Sequence, residues 1–424
     1  MIGLFHKLSP VVKISTRLLV VDRDTILDNA VIIAHEGRVR EILPAESATK
    51  IRADKKIDLT SHILHPGFIN AHCHLELSFL EGKLAPGMRF TDWIAAVVKR
   101  RGKVSPSRAD SSVKNAIALM IRSGTTCVGD ISSSGAATPR ILSSGLRAVI
   151  FHETIGLDPK KAGVKLKEMV DSVERAQGSE IVTHGVSPHA VYSVSGALMR
   201  AVADYAAVRG KPLAIHLAET PEEAVFSKKG TGPFLDLLAK LKVKVPGGHP
   251  HKAPVKAVEE MGALTGAALI HVNHPERGDI ARIKKAGSCV VVCPNSNRWF
   301  GRSAKGHPLM ELMDKSIPVA LGTDSLASNL GMDMAGEMRR ALEDFPFLAL
   351  GDVFNMATIG GAMALKLPNG CGSLRVGAPL DAVAVHSPGV ETQRGFPWDI
   401  MKPGRHVSMV FVSGRKLYAK KGGG

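Results

Sequence analysis

The feature that most constrains the fold is an alternation through the middle of the chain. Eight short apolar segments, each running out into polar residues, are separated by stretches with the period of an α-helix. They cover residues 64–74, 125–131, 147–153, 181–190, 212–219, 267–274, 288–297 and 318–325. Runs without a polar break, such as Val290 to Cys293, suit strands buried on both faces of a parallel sheet. The intervening stretches read as helices. In SSVKNAIALMIRSG, Val113, Ala116, Ile117 and Met120 share one face, and Gly124 can end the helix. Eight strand–helix repeats over about 300 residues is the arithmetic of a closed (β/α)8 TIM barrel. A doubly wound open sheet competes, but it calls for a glycine-rich phosphate turn after its first strand, and residues 70–77 have none.

The two ends read differently. Residues 11–65 hold short β-branched stretches broken by the pairs Asp28-Asn29 and Glu36-Gly37, and residues 371–418 close in a hairpin with Ser413-Gly414 at its turn. The expectation is an α/β protein in two parts. Residues 1–65 and 371–424 build one small β-sandwich domain, and residues 66–370 build the barrel.

Composition excludes several classes. Hydrophobic residues are 45% and charged residues 22% of 424, the balance of a soluble globular protein. No apolar run approaches the roughly 20 residues that span a bilayer, and the first residues lack the apolar core and cleavage site of a signal peptide. Cys73, Cys127, Cys289, Cys293 and Cys371 are odd in number and scattered, which suits reduced thiols in a cytoplasmic protein. The net charge of +16 raises the question of nucleic acid. However, the basic residues are dispersed, their densest groups being Lys99, Arg100, Arg101 and Lys103, and Arg415, Lys416, Lys420 and Lys421. With no aromatic interleaving and no recognisable module, neither nucleic acid nor membrane is expected as a partner. An anionic small-molecule substrate or a basic proteome accounts for the charge equally well.

The chemistry collects at strand ends. The first barrel strand delivers His72 and His74, the fifth His216 and Glu219, the sixth His271 and the eighth Asp324. In a barrel those C-terminal ends converge on one face. A His-x-His pair alone is weak, since chance gives roughly 0.7 occurrences among 17 histidines in a chain this long. A second pair, His249 and His251, sits in a Pro/Gly loop with no strand ahead of it and reads as solvated. His72 and His74 follow an apolar strand, where residues two apart face the same way and can hold one ion. Otherwise they are hydrogen-bonded core histidines. His216 is a third nitrogen donor, and Asp324 a carboxylate that completes the set; its plain alternative is a helix cap. Glu219 either reaches substrate or is a first-turn acid of the following helix. Three nitrogens and a carboxylate leave a divalent ion one position for water, whose pKa it lowers toward neutrality.

These residues resemble the amidohydrolase superfamily, in its cytosine-deaminase and triazine-hydrolase-like branch. The resemblance runs over nearly the whole chain: HPGFINAHCH, IHLAE, IHVNH, GTDSLASN and, in the returning sheet, GSLRVGAPLDAVAV. It implies His72, His74, His216 and Asp324 as ligands of one divalent metal, usually zinc and sometimes iron. Glu219, His271 and Asp324 are then the catalytic groups. Two-metal relatives use a carboxylated lysine near the end of strand four, and VTHGVSPHAVYS has no lysine. The implied reaction is hydrolytic deamination of an aminated heteroaromatic ring. Hydroxide on the metal attacks the carbon bearing the amino group, and ammonia leaves. Glu219 protonates the adjacent ring nitrogen, His271 orients the water and Asp324 takes its remaining proton.

The segment SPHAVYSVS is similar to adenosine-type deaminases, in which a histidine at the position of His189 contacts the ribose. HCHLELS, the FTDWI stretch around Trp93, CPNSN and GTDSLASNLGMD are similar to aminodeoxyfutalosine deaminases of menaquinone synthesis, whose substrate carries a benzoate. Arg298 or Arg302 is then a candidate for that carboxylate, against a plain reading as solvated loop. Glu76 and Asn297 also fall near the mouth, with supporting hydrogen bonds as their simpler role. Deamination of S-adenosylhomocysteine, methylthioadenosine, adenosine or guanine is the nearest alternative, followed by triazine dechlorination. An amide-cleaving two-metal hydrolase and a non-catalytic barrel scaffold stand further off. The family commonly forms dimers, so a homodimer is compatible with the resemblance.

Overall fold

In the computed structural model, which describes residues 10–245, 250–390 and 395–420, four strands come first. They are β1 (Val12–Val20), β2 (Ile26–His35), β3 (Arg38–Pro44) and β4 (Lys55–Pro66). The eight apolar segments of the middle each become a strand: β5 (Phe68–Cys73), β6 (Thr125–Ser132), β7 (Arg147–Thr154), β8 (Val182–Pro188), β9 (Ala214–Leu217), β10 (Ala268–His271), β11 (Cys289–Val292) and β12 (Val319–Leu321). The chain ends in β13 (Ala382–His386), β14 (His406–Val412) and β15 (Arg415–Ala419).

Strands β5 to β8 and β9 to β12 form two parallel runs. Parallel bridges Val186–Leu213 and Cys73–Asp324 join the runs at both seams, so the ring closes. Burial on both faces explains the unbroken apolar runs: all six residues of β5 and all eight of β6 are buried. The helix Pro106–Arg122 packs Val113, Ala116, Ile117 and Met120 inward, as its periodicity predicts, and the chain leaves it through Gly124 at φ +90°. At the second seam the backbones nearly touch. A Cβ on Gly322 would lie 2.8 Å from the His72 Cβ and 2.9 Å from its carbonyl oxygen.

The ends assemble as the β-rich reading expects, with a different detail. All seven strands hydrogen bond into one continuous sheet, ordered β15-β14-β13-β4-β1-β2-β3. The sheet curls until the hairpin turns of its far ends meet: a Cβ on Gly414 would lie 3.0 Å from the Gly37 Cα, and the Leu380 backbone bonds to both turns. Both turns have positive φ at their two central residues, Glu36 and Gly37 at +51° and +71°, Ser413 and Gly414 at +46° and +71°. The Asp28-Asn29 pair is not a turn. It lies inside β2, and the chain reverses instead at Asp22–Thr25, where the Asp22 carboxylate accepts from the backbone of Asp24 and Thr25. A buried ion pair, Arg147–Asp381 at 2.7 Å, ties the sheet to the barrel. Among the described residues no helix is long and apolar enough to cross a membrane. Of the noted sequence features, His249 and Lys421 lie outside the described residues.

Candidate metal centre and cavity

The C-terminal ends of β5, β9, β10 and β12 meet at one point. His72 is fully buried, and its Nε2 lies 3.6 Å from Asp324 Oδ1; His74 Nε2 lies 3.8 Å from the same oxygen. His74 Nε2 and His216 Nε2 are 3.3 Å apart. The donor atoms of His72, His74 and Asp324 lie within 4.8 Å of one another, as do those of His72, His216 and His271. Ala218, His271, Val272 and Asp324 all have positive φ, at +50°, +77°, +50° and +57°. Backbone strain of roughly 1–3 kcal/mol per residue is therefore concentrated where the strands deliver these side chains.

The electrostatics follow from burial. Desolvation lowers the pKa of His72, His74, His189 and His216, and takes His271 down to about 3, so the imidazoles are neutral with a lone pair each. Both ring nitrogens of His72, and Nδ1 of His216 and of His271, have no hydrogen-bond partner. Unpaired buried polar atoms are costly in a protein that gains nothing from them. Burial opposes ionisation of Asp324, yet the facing imidazole of His72, 3.6 Å away, and those of His74 and His271 hold its carboxyl well below the usual range. Its Oδ2 accepts from Ser296 (2.7 Å) and Ser328 (2.8 Å), which leaves Oδ1 aimed at the histidines. The donor set, three neutral nitrogens and one carboxylate, suits a divalent ion such as zinc or iron.

Glu219 is not a helix cap. Thr220 caps the helix Pro221–Lys229, and Glu219 stands just before it with its side chain 4% exposed. Its Oε2 lies 3.7 Å from His271 Nε2, and its Oε1 accepts from Arg302 at 2.9 Å. Burial raises the Glu219 carboxyl above its ordinary value, while the Arg302 guanidinium works against that rise. Glu223, unnoticed in the sequence, is fully buried and accepts the backbone N–H groups of Ala218 (3.0 Å) and Glu219 (2.8 Å). It fixes the turn that presents Glu219.

A cavity of about 460 Å³ opens above the cluster. His74, His189, His216, Glu219, His271 and Asp324 line its floor. Phe90, Trp93, Ile94, Val97, Phe234 and Leu237 give it an apolar side. Trp93 donates its indole N–H to the Ala327 carbonyl, so its ring is held in place. Glu76 reaches the cavity, but its carboxylate is occupied: it accepts from Ser132, Ser134, Ala136 and Arg101. Asn297 exchanges hydrogen bonds with Asn273. The two candidate arginines part company. Arg302 bends onto Glu219 and packs over the Phe300 ring, while Arg298 is exposed on the helix Pro294–Trp299 and does not line the cavity. The cation that lines the cavity is Arg101, read in the sequence only as one of a basic group, and Glu153, its side chain buried at the end of β7, went unread there. Both lack any motif around them and become visible only through their neighbours.

Comparison with known proteins agrees with this geometry. The profile of the amidohydrolase family matches residues 63–417. The chain is 31% identical over 312 residues to an aminodeoxyfutalosine deaminase of Deinococcus radiodurans, covering 70% of this chain and 72% of that protein. It is 28% identical over 437 residues to a 5-methylthioadenosine/S-adenosylhomocysteine deaminase of Teredinibacter turnerae, covering 94% and 90%. Among solved structures, a zinc-bound adenosine deaminase of Xanthomonas campestris superposes with a TM-score of 0.80 at 23% identity, over 96% of this chain and 92% of that one. That likeness shows the fold.

Proposed function

The chain belongs to the amidohydrolase family, and from that premise we propose that it is a metal-dependent deaminase of an adenine-type nucleoside. The observation that carries this reading is the placement of two buried carboxylates against different histidines of the cluster. Asp324 faces His72 and His74, and Glu219 faces His271 at 3.7 Å. His72, His74, His216 and Asp324 would hold one divalent ion, zinc in the first instance; the unpartnered ring nitrogens of His72, the close spacing of the His72, His74 and Asp324 donors, and the 3.3 Å between His74 and His216 support that set. When bound, the ion supplies a Lewis-acid centre that makes water nucleophilic near neutral pH. Residues 66–370 are the catalytic unit in this reading.

The remaining work falls to side chains. Hydrolysis at an amino-bearing ring carbon must move one proton to the adjacent ring nitrogen and another to the departing amine. Glu219, whose carboxyl burial raises and Arg302 lowers, stands on the cavity floor where it can carry the first proton to the ring nitrogen. His271, kept neutral, offers Nε2 as an acceptor that orients water between itself and Glu219. Asp324 Oδ1 is the acceptor for the water's second proton, because Oδ2 is saturated by Ser296 and Ser328. The apolar side of the cavity excludes bulk water and fits a nucleoside with an apolar extension.

Among such nucleosides we put 6-aminodeoxyfutalosine first and methylthioadenosine or S-adenosylhomocysteine second; the relatives with those names support both. The test is ammonia release by metal-loaded protein and a chelated control, with these nucleosides, adenosine and guanine as substrates. Chelator-sensitive turnover of one nucleoside is the expected result. No ammonia from any of them overturns the reading.

A further inference from the structure

The basic group at residues 99–103 divides between two cavities. Arg101 lines the catalytic one and is anchored on Glu76 at 2.7 Å, whereas Arg100 and Lys103 line a separate pocket of about 390 Å³. The helix Phe90–Arg101 ends in a turn in which the Lys103 N–H bonds the Arg100 carbonyl. Ser105 caps the helix Pro106–Arg122 two residues later, and this tight corner brings Arg108 to the same pocket. Lys83 arrives from another segment, the turn after the short helix Leu75–Leu80, where its N–H bonds the Leu80 carbonyl at 2.9 Å.

Four cations share this pocket, and no carboxylate lines it. Among the described residues none of the four enters an ion pair, whereas Arg140 is forked onto Asp110 at 2.7 and 2.5 Å in the ordinary way. Under the charges lies an apolar floor of Phe79, Leu80 and Val104, the first two 9% and 1% exposed. A pocket of one sign over low-dielectric walls focuses its field: the cations alone only repel one another, and an anion among them gains. The charge converges on a bounded site instead of running as a stripe, and its one aromatic ring, Phe79, is sunk in the floor. A single-stranded polymer would want the opposite, a charged groove with rings open for stacking.

We propose that this pocket binds the diphosphate group of a small molecule, either free diphosphate or a nucleotide, at a site separate from the catalytic cavity. A terminal phosphate carries about 1.5–2 negative charges near neutral pH, so one diphosphate answers most of the four positive charges. Arg100 and Arg108 offer planar forks for its oxygens, and Lys83 and Lys103 point charges. The volume suits a small ligand. The two cavities have no lining residue in common, so the inference stands apart from the nucleoside reading and is tested without turnover.

The test is calorimetric titration of the metal-loaded protein with inorganic pyrophosphate, uridine 5′-diphosphate, uridine and a short single-stranded oligonucleotide. Both diphosphates are expected to bind at one site per chain, and uridine is not. Salt at about 1 M, where the Debye length is about 3 Å, is expected to release them. Tighter binding of the uridine compound than of pyrophosphate identifies a nucleotide as the ligand, and equal or weaker binding identifies free diphosphate. Arg100→Glu with Lys103→Glu, both exposed, is expected to weaken binding roughly ten- to a hundredfold at an unchanged thermal midpoint, through two lost charged contacts and the repulsion that replaces them. Lys83→Glu, on the other segment, is expected to weaken it as well. No binding of either diphosphate to the unaltered protein overturns the inference, and needs no variant to fold. Binding undiminished in these variants places the anion elsewhere, the histidine cluster and its ion included, and overturns it too. Binding confined to the oligonucleotide overturns the small-molecule assignment.

Discussion

Replacing Arg302 with methionine separates two roles that sequence and structure assign to it. Its guanidinium bonds Glu219 at 2.9 Å, and the two side chains are 14% and 4% exposed, so solvent screens the pair little. A hydrogen bond between charged partners contributes about 1.5–3 kcal/mol. At about 1.4 kcal/mol per factor of ten, its loss disfavours the ionised form of Glu219 by roughly ten- to a hundredfold, so its pKa rises further. The direction is fixed by charge: removing a cation beside a buried carboxylate disfavours the ionised form. Whichever form of Glu219 is reactive, the limb of the kcat/KM profile that it controls moves to higher pH in Arg302→Met. Stability gives a second readout. A carboxyl with a raised folded-state pKa stabilises fully below its unfolded pKa, and that contribution is lost as pH rises through the folded value. The variant is therefore close to the parent in acid and falls behind it as Glu219 ionises. The assay is a pH series of ammonia release paired with urea midpoints at the same pH values. An unmoved pH limb, with a KM increase confined to a carboxylate-bearing substrate, would refute this reasoning and return Arg302 to substrate binding.

Three further outcomes are expected. Glu219→Gln retains metal, measured by elemental analysis, and loses about 10²- to 10⁴-fold in turnover, the usual contribution of a proton-transfer group; full activity removes Glu219 from the mechanism. Glu223→Gln turns one of two acceptors toward the Ala218 and Glu219 backbone into a donor, which costs about 1–3 kcal/mol of stability and lowers kcat. An unchanged urea midpoint and kcat would show that the turn holds without it. Chelation lowers the thermal midpoint and zinc restores it, since bound metal stabilises only the folded state; a midpoint indifferent to both argues that the histidine cluster is structural.

The barrel was legible because its strands are buried almost throughout on both faces, so that apolar runs such as 290–293 stand out without any alternation to decode. The strand-end residues were legible for a related reason. His72, in β5, and His74, one residue past its end, are two apart behind an apolar run, a spacing that lets both face the same way. What escaped was whatever depends on partners far along the chain. Glu153 gains its meaning from Ser133, His189 and, through Ser133, Arg101, and Glu223 from a backbone turn, and no local spacing announces either. Arg302 was noticed for its charge, but its direction was set by Glu219, 83 residues earlier. The Asp28-Asn29 pair misled because the same residues that favour turns also tolerate the positive φ of a kinked strand, +44° at Asn29. The sandwich expectation had the right strands. Only pairing register shows that they form one curled sheet.

The place of β4 in that sheet sets a schedule for synthesis. One edge of β4 pairs with β1, made shortly before it, while the other pairs with β13, where His62 meets His386. At about 5–20 residues per second, the ribosome needs roughly 15–60 s to travel between those two partners. Throughout that interval a strand carrying buried Ile63 and Leu64 offers an open hydrogen-bonding edge to any other chain nearby. The histidine cluster waits nearly as long, since His72 emerges early and Asp324 late. A newly made copy is thus exposed to edge-to-edge association before it can hold an ion, and crowded expression at high temperature should waste more of it than its folded stability suggests.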